Sequence, residues 1–213
     1  MNLRMVLIST ISATVLASCA SMNPYSSEAD SSESDMSFFV TSVNPGKGAD
    51  LGGLAGADIY CTGLAAAAGS TGKTWKAYLS STDENARDRI GTGPWVNANG
   101  VTVATSVDDL LSENNKLSKE NSVSEAGVVL NGRGDTPNRH DILTGSDAQG
   151  NATNNTCEDW TTSGEGSATV GHHDRTGGGD DPTSWSSAHG SKGCGLEDLR
   201  STGGDGLFYC FAE

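Results

Sequence analysis

The sequence contains few aromatic and few basic residues. Aromatic side chains make up 6% of the 213 residues, and 13 Lys and Arg residues are set against 27 Asp and Glu, which gives a formal net charge of −14. Such a surface repels the phosphate backbone, so nucleic acid is not expected as a partner. The charge suits solubility, cationic partners or Ca²⁺, but acidity alone selects none of these.

Motifs of common enzymes are also absent. The chain has neither a Gly-x-Ser-x-Gly elbow nor a His-Glu-x-x-His helix motif. Residues 69–74 (GSTGKT) imitate a phosphate-binding loop, but Ala67 replaces the required earlier glycine. The expected order of helix and strand is also the reverse of what phosphate binding needs. The chain is therefore predicted not to be an enzyme.

The sequence lacks a hydrophobic run long enough to span a bilayer. Its first apolar stretch, Met5–Ala17, is short and interrupted by Ser and Thr, and it lies where a secretory signal belongs. It ends in LASC (residues 16–19), which resembles a bacterial lipobox, in which the cysteine thiol receives a diacylglyceryl group and cleavage occurs before it. Residues 1–18 are thus predicted to be a lipoprotein signal peptide, with Cys19 as the lipidation site. Ala20, by resemblance to enterobacterial sorting, favours the outer membrane.

The segment after the lipobox is rich in Ser and acidic residues and has almost nothing to bury. Residues 19–36 are therefore predicted to comprise the lipidated cysteine and a flexible, self-repelling tether. Several acyl chains, at about 0.8 kcal/mol for each buried CH₂, would hold the protein on the membrane. Residues 37–213 are predicted to form the folded domain.

Four cysteines remain in that domain: Cys61, Cys157, Cys194 and Cys210. No two of them have Cys-x-x-Cys spacing, so a zinc knuckle or a thioredoxin-like site is not expected. An even number in an exported domain indicates two disulfides, for which three pairings are possible.

Heavy glycine use (28 residues) favours short elements joined by tight turns. The apolar patterns predict a helix over 54–68, and strands over 38–43, 74–79, 157–161 and 207–211. Long polar loops are expected beyond residue 125.

Several of these features occur together in a known order. They are LGGLAGAD (51–58), Cys61, TWKAYLS (74–80), LTGS (143–146), Cys157, Trp160, Cys194, Tyr209 and Cys210. In them the chain resembles endostatin, the C-terminal domain of certain collagens, and a bacterial family of unknown function that includes the leptospiral endostatin-like proteins. The resemblance implies an α+β, C-type-lectin-like fold, with short helices around a mixed, mostly antiparallel sheet. It also implies nested disulfides, Cys61–Cys210 and Cys157–Cys194.

The metal sites of the similar proteins do not carry over to this chain. The counterparts of the calcium-binding turns in lectins are residues 136–138 (TPN) and 185–187 (WSS), which lack the necessary carboxylates. The zinc site of endostatin uses histidines near its N-terminus, and residues 37–50 contain none.

The second half of the domain contains histidines and carboxylates that are weak candidates for another metal site. Its candidate ligands are His172, His173, Asp174, Asp180 and Asp181, and separately His140, Asp141 and His189. Imidazole and carboxylate groups are ligands for Zn²⁺, and carboxylates for Ca²⁺, so a site built from loops after residue 135 is one hypothesis. The alternative is that these side chains only pin long loops through hydrogen bonds.

Two further sets of residues are candidates for binding a ligand. Arg133 and Asp135 belong to an Arg-Gly-Asp tripeptide of the integrin-binding type. Trp95 and Trp185 neighbour Gly, Pro and Ser and are expected at the surface, where they would stack on a sugar. Trp75 and Trp160 are expected in the core.

These observations predict a cell-envelope lipoprotein that presents a binding domain outside the cytoplasm, for a protein or a glycan. The leptospiral proteins that it resembles bind host matrix proteins and complement regulators. One alternative is a structural envelope protein with a periplasmic partner, and another is a hydrolase with a metal site built from loops.

Overall fold

A computed structural model of the chain describes residues 34–176 and 184–213. The predicted signal peptide, the lipidation site Cys19 and most of the tether lie outside the described residues. The same is true of Asp180 and Asp181, two of the candidate metal ligands.

The described ranges contain short helices and strands, as expected for an α+β protein. The helical segments are α1 (Gly53–Ala67), α2 (Ala86–Arg89), α3 (Val107–Leu110), α4 (Cys157–Trp160) and α5 (Leu196–Thr202). The strands are β1 (Phe38–Val40), β2 (Trp75–Ala77), β3 (Trp95–Val96), β4 (Thr102–Ala104), β5 (Asp141–Leu143), β6 (Thr169–His172), β7 (His189–Gly190) and β8 (Gly204–Ala212). None of the helices in these ranges has both the length and the hydrophobicity needed to cross a membrane.

Strand β8 organises the main sheet. Its C-terminal half pairs antiparallel with β1 on one edge and with β2 on the other, and its N-terminal half pairs parallel with β5. The order β1-β8-β5-β6-β7 follows, while β3 and β4 form a separate hairpin. All nine residues of β8 are buried, because both of its faces are covered.

The two faces of β8 contact different parts of the core. Phe208, Cys210 and Ala212 point to one side and pack with α1, while Leu207, Tyr209 and Phe211 point to the other. This alternation follows from the two-residue period of a strand. Trp75 and Trp160 are buried, which confirms that they are core residues.

Trp95 and Trp185 also belong to the core. They are 0% and 4% exposed, and their indole nitrogens donate hydrogen bonds to the carbonyls of Ala212 and Leu110. The prediction that they lie at the surface is therefore wrong. Burying a large indole ring, with a partner for its N–H, stabilises the fold. This effect outweighs the tendency of the polar neighbours in the sequence to lie at the surface.

Two disulfides have the pairing implied by the resemblance. Cys61–Cys210 joins α1 to β8, and Cys157–Cys194 joins α4 to the loop before α5. Helix α1 buries Ala57, Cys61 and Ala65, which recur every four residues on one face. Small side chains on this face allow the helix to lie close to the sheet.

Segment α4 is a single turn of left-handed helix, so the prediction of a strand over 157–161 is wrong. All four of its residues have φ between 49° and 67°. The turn is stabilised by the hydroxyl of Thr156, which accepts a hydrogen bond from the N–H of Asp159, and by the indole of Trp160, which donates to the carbonyl of Ser80. These contacts and a disulfide at its first residue offset a conformation that L-amino acids adopt rarely.

Candidate metal centre

Three neighbouring strands, β5, β6 and β7, bring the polar cluster together. Asp141, at the start of β5, lies directly opposite His172, at the end of β6. His189, at the start of β7, lies opposite Val170, two residues before His172. Because opposite residues share a face and residues two apart on a strand share a face, the side chains of Asp141, His172 and His189 project to the same side of the sheet.

His140 completes the cluster from the loop before β5. Its ring stacks on that of His172, with centroids 4.3 Å apart and planes at 16°. The ring of His189 meets the His172 ring edge-on, with centroids 5.1 Å apart. Of the four histidines of the chain, His140 and His189 thus both contact His172.

All three rings direct an Nε2 atom at one carboxylate oxygen. The distances from Asp141 Oδ1 are 3.0 Å to His140, 3.4 Å to His172 and 3.6 Å to His189. In a tetrahedral zinc site with bonds of about 2.0–2.1 Å, neighbouring ligand atoms lie roughly 3.3–3.4 Å apart. The distances to His140 and His172 are close to that value, and ligand atoms of His140, Asp141 and His172 all lie within 4.8 Å of one another. His189 approaches Asp141 but does not belong to this mutually close group.

The carboxylate of Asp141 contacts these rings through charge and not through well-aligned hydrogen bonds. Asp141 is 2% exposed, and within residues 34–176 and 184–213 neither of its carboxylate oxygens accepts a hydrogen bond of acceptable geometry. A buried carboxylate is normally satisfied by well-aligned donors. Here, nitrogen atoms surround it at close range without the alignment that N–H donation requires.

A second group of contacts holds two of the rings in orientation. His140 Nδ1 lies 3.4 Å from Asp174 Oδ1, and His189 Nδ1 lies 3.1 Å from the carbonyl of Gly190. Metal-binding histidines commonly contact a carboxylate or a backbone carbonyl through the nitrogen that does not bind the metal. Asp174 is itself positioned, because it accepts hydrogen bonds from the N–H groups of Arg133 and Thr176.

The charges of the cluster are strongly coupled. Burial favours the neutral forms of Asp141 and Asp174, but their contacts with imidazoles outweigh burial and hold the pKa of each carboxyl well below its usual range. Burial likewise disfavours protonated His140, but its contacts with the two carboxylates outweigh burial and raise its pKa to about 9. The contact with Asp141 also raises the pKa of His189. The cluster therefore carries fixed negative charge and one or more displaceable protons.

A cavity of about 260 Å³ opens above the rings. Its lining residues are Arg133, Asn138, His140, His172, His189 and Thr202. The sheet thus covers the cluster on one side, and the cavity gives a ligand access to it from the side of the loops.

The candidate ligands lie in different positions relative to the cluster. The structure brings together His140, Asp141, His172 and His189, which the sequence suggested only as separate groups, and it places Asp174 behind His140. It does not bring in His173, whose Nε2 lies 3.1 Å from the carbonyl of Asn131. Burial lowers the pKa of His173, as expected for a neutral ring held away from the carboxylate-rich centre.

The Arg-Gly-Asp tripeptide does not present two free charges. Arg133 is exposed at the rim of the cavity. The carboxylate of Asp135 accepts hydrogen bonds from the ammonium of Lys119 and the N–H of Gly132, and these contacts lower its pKa. An integrin-type ligand needs both charges available, so this geometry does not support that interpretation.

No protein-family model matches this chain, and no match to a curated protein was found.

Proposed function

We propose that this protein is an exported binding domain that holds one zinc ion through His140, Asp141 and His172, with His189 beside them. The observation that carries the proposal is that ligand atoms of these three residues lie within 4.8 Å of one another, with the Nε2 atoms of the two histidines 3.0 Å and 3.4 Å from Asp141 Oδ1. These two distances are close to the separation of ligands in a tetrahedral zinc site, and a buried carboxylate without aligned donors supports the proposal.

The donor set favours zinc over calcium, the other metal suggested by the sequence. Ca²⁺ is bound by six to eight oxygen atoms, whereas two of the three donors here are imidazole nitrogens. Imidazole suits Zn²⁺ and neighbouring transition metals, and Zn²⁺ accepts a tetrahedral site of nitrogen and oxygen ligands with its fourth position open.

Binding is a better account than hydrolysis. A zinc hydrolase needs, besides a position for water, a carboxylate that is free to act as a base. Asp141 is proposed as a ligand, and Asp174 is already occupied by His140 and two backbone N–H groups. Among the described residues, the wall of the cavity offers no other carboxylate.

The same proposal places the domain in the cell envelope. The disulfides Cys61–Cys210 and Cys157–Cys194 favour an oxidising compartment outside the cytoplasm. The lipobox-like sequence around Cys19 supports anchoring of the domain by lipid to the outer membrane. Pairing of the first strand with the last, and of the first helix with the last strand through a disulfide, supports a C-type-lectin-like fold. A protein or glycan bound by the loops remains the proposed external ligand.

The experiment is a titration of the full chain, purified in detergent and treated with a chelator, with Zn²⁺ and separately with Ca²⁺. We expect one Zn²⁺ per chain in calorimetry and in native mass spectra, and no binding of Ca²⁺ to this site. Loss of a contact behind a ligand weakens a metal site by about 10–100-fold. His172→Asn or Asp141→Asn, which remove a ligand itself, should therefore weaken zinc binding roughly a hundredfold or more.

His173→Asn is the matched control, since it removes the adjacent histidine, which points away from the cluster. This variant should retain one zinc ion with little change in affinity. If the wild-type chain takes up no zinc, or if His173→Asn and His172→Asn lose it equally, the proposal is wrong.

A further inference from the structure

The loops around the candidate metal centre carry more positive charge than the rest of this acidic chain. Arg133 lines the cavity above the histidines, and Arg139 and Arg200 line a second cavity of about 270 Å³ beside it. Asn138 lines both cavities, so they are adjacent. Three of the few arginines of a chain with net charge −14 are thus placed at one face.

Arg133 differs from the other arginines of the described ranges. Its backbone N–H donates to Asp174, but its guanidinium makes no ion pair or hydrogen bond with the described residues. The other arginines in those ranges, which are Arg87, Arg89, Arg139, Arg175 and Arg200, each contact a carboxylate. In a chain with an excess of acidic residues, a guanidinium left free at the mouth of a cavity is available to a ligand.

The neighbouring arginines are paired with carboxylates. Arg139 and Arg200 both contact Asp205, at 3.0 Å and 2.7 Å, and Arg200 also contacts Glu197. Within the cluster, the two charges of a zinc ion would be balanced by Asp141 and Asp174, and the charge of Arg133 would remain in excess. Once zinc is bound, the cavity would therefore be a local positive site on a negative protein, which attracts anions.

We infer that the zinc ion and Arg133 together bind a small oxyanion, with a carboxylate or phosphate head, in the cavity above His140, His172 and His189. This inference rests on the proposed zinc site. Zinc with three protein ligands keeps a fourth position for water or another oxygen ligand, and the oxygen of an anion can occupy it. The guanidinium supplies a planar fork that matches the two oxygens of such a group.

Asn138 supplies a further donor. Asn138 lines the cavity, and because its Oδ1 accepts a hydrogen bond from the N–H of His140, its amide NH₂ remains as a donor. A volume of about 260 Å³ suits a small anion or the terminal group of a larger one, and not a whole oligosaccharide.

The test uses the full chain loaded with Co²⁺ in place of Zn²⁺, because its visible absorption reports a change in coordination. Succinate and inorganic phosphate are titrated separately, so that the two arms distinguish a carboxylate from a phosphate head. At least one of them should change the spectrum with saturation. Arg133→Gln should weaken that binding roughly tenfold or more, the effect of losing one charge-assisted pair.

Arg87→Gln is the matched control, because Arg87 lies on α2 and lines neither of the two cavities. It should bind the anion as the wild type does. Uptake of one Co²⁺ is measured first in every sample, which separates the two ideas. If Co²⁺ does not bind, the proposed function fails. If Co²⁺ binds but neither anion changes the spectrum, or if Arg133→Gln binds the anion as well as Arg87→Gln does, the inference drawn here is overturned.

Discussion

At the residue scale, Asp141 is the centre of the site. A carboxylate with three imidazole nitrogens within 3.6 Å has two ways to be stable. Without metal, protonated His140 lies between Asp141 and Asp174 and compensates their charge. With zinc, the metal replaces that proton and supplies the positive charge, as metal binding by histidine generally does.

The metal-free state should therefore lose stability as the pH rises. The folded pKa of His140, about 9, exceeds the ordinary value of 6.5, so its contribution is fully present below pH 6.5 and is lost as the pH approaches 9. The raised pKa of His189 acts in the same direction. We expect the free energy of unfolding, measured by urea denaturation in a chelator, to fall by on the order of 2 kcal/mol between pH 6.5 and 9.

His140→Gln serves as the comparison for this measurement. It should remove most of the decline, since Gln does not titrate. A wild-type stability that is constant or rising over this range would contradict the charge assignment.

Individual residues also show how much of the site could be predicted from the sequence. The polar residues that form the site were visible, but their grouping depends on strand register: a shift of one residue would place His173, and not His172, beside Asp141. No local pattern determines that register here, because β5, β6 and β7 are short and separated by long loops. For the same reason the burial of Trp95 and Trp185 was missed, since it depends on segments distant in the chain.

At the scale of elements, strong local sequence patterns were sufficient to predict one helix and one strand. The alanine-rich helix predicted over 54–68 matches α1, and the apolar run 207–211 lies within β8. The left-handed turn α4 could not be predicted in this way, because its residues have no preference for positive φ. Distant contacts to Ser80 and Cys194 and the nearby hydroxyl of Thr156 determine its conformation.

Glycine should stabilise that turn, in contrast to its usual effect in a helix. Glu158 has φ 52° and an exposed side chain, and a left-handed conformation costs a non-glycine residue about 1–2 kcal/mol. Replacing Glu158 with glycine removes this cost, but the greater freedom of glycine in the unfolded chain offsets part of the gain. Glu158→Gly should therefore raise the free energy of unfolding by about 1 kcal/mol, measured by urea denaturation.

The same substitution in right-handed helix α5 provides the control. Glu197→Gly, also at an exposed position, should lower stability by up to about 1 kcal/mol. Equal destabilisation by both substitutions would show that α4 is not left-handed.

At the scale of the whole molecule, covalent links complement a core built from short elements. Cys61–Cys210 spans 149 residues of sequence and Cys157–Cys194 spans 37. Glycine-rich chains lose much entropy on folding, so restriction of the unfolded state is especially useful here. The α+β class and the two cysteine pairs could be anticipated from the sequence, whereas the sheet order could not.

Removing the two disulfides separately should show how the length of the closed loop affects the free energy of unfolding. The chain-entropy relation predicts a loss of about 5 kcal/mol for Cys61→Ser with Cys210→Ser, and about 4 kcal/mol for Cys157→Ser with Cys194→Ser. Urea denaturation of the full chain in a chelator measures both. A larger loss for the shorter loop would mean that local strain or packing, and not loop closure, dominates.

The central claim is that one ion is bound by two imidazoles and one carboxylate, those of His140, His172 and Asp141, where β5 and β6 meet. X-ray absorption at the zinc edge of the metal-loaded full chain tests it most directly, because multiple scattering from imidazole rings counts the histidine ligands. We predict two imidazole nitrogens and one carboxylate oxygen at about 2.0–2.1 Å, with water or a bound anion in the fourth position. A shell with one imidazole or none, or one made of oxygen alone, would contradict the account.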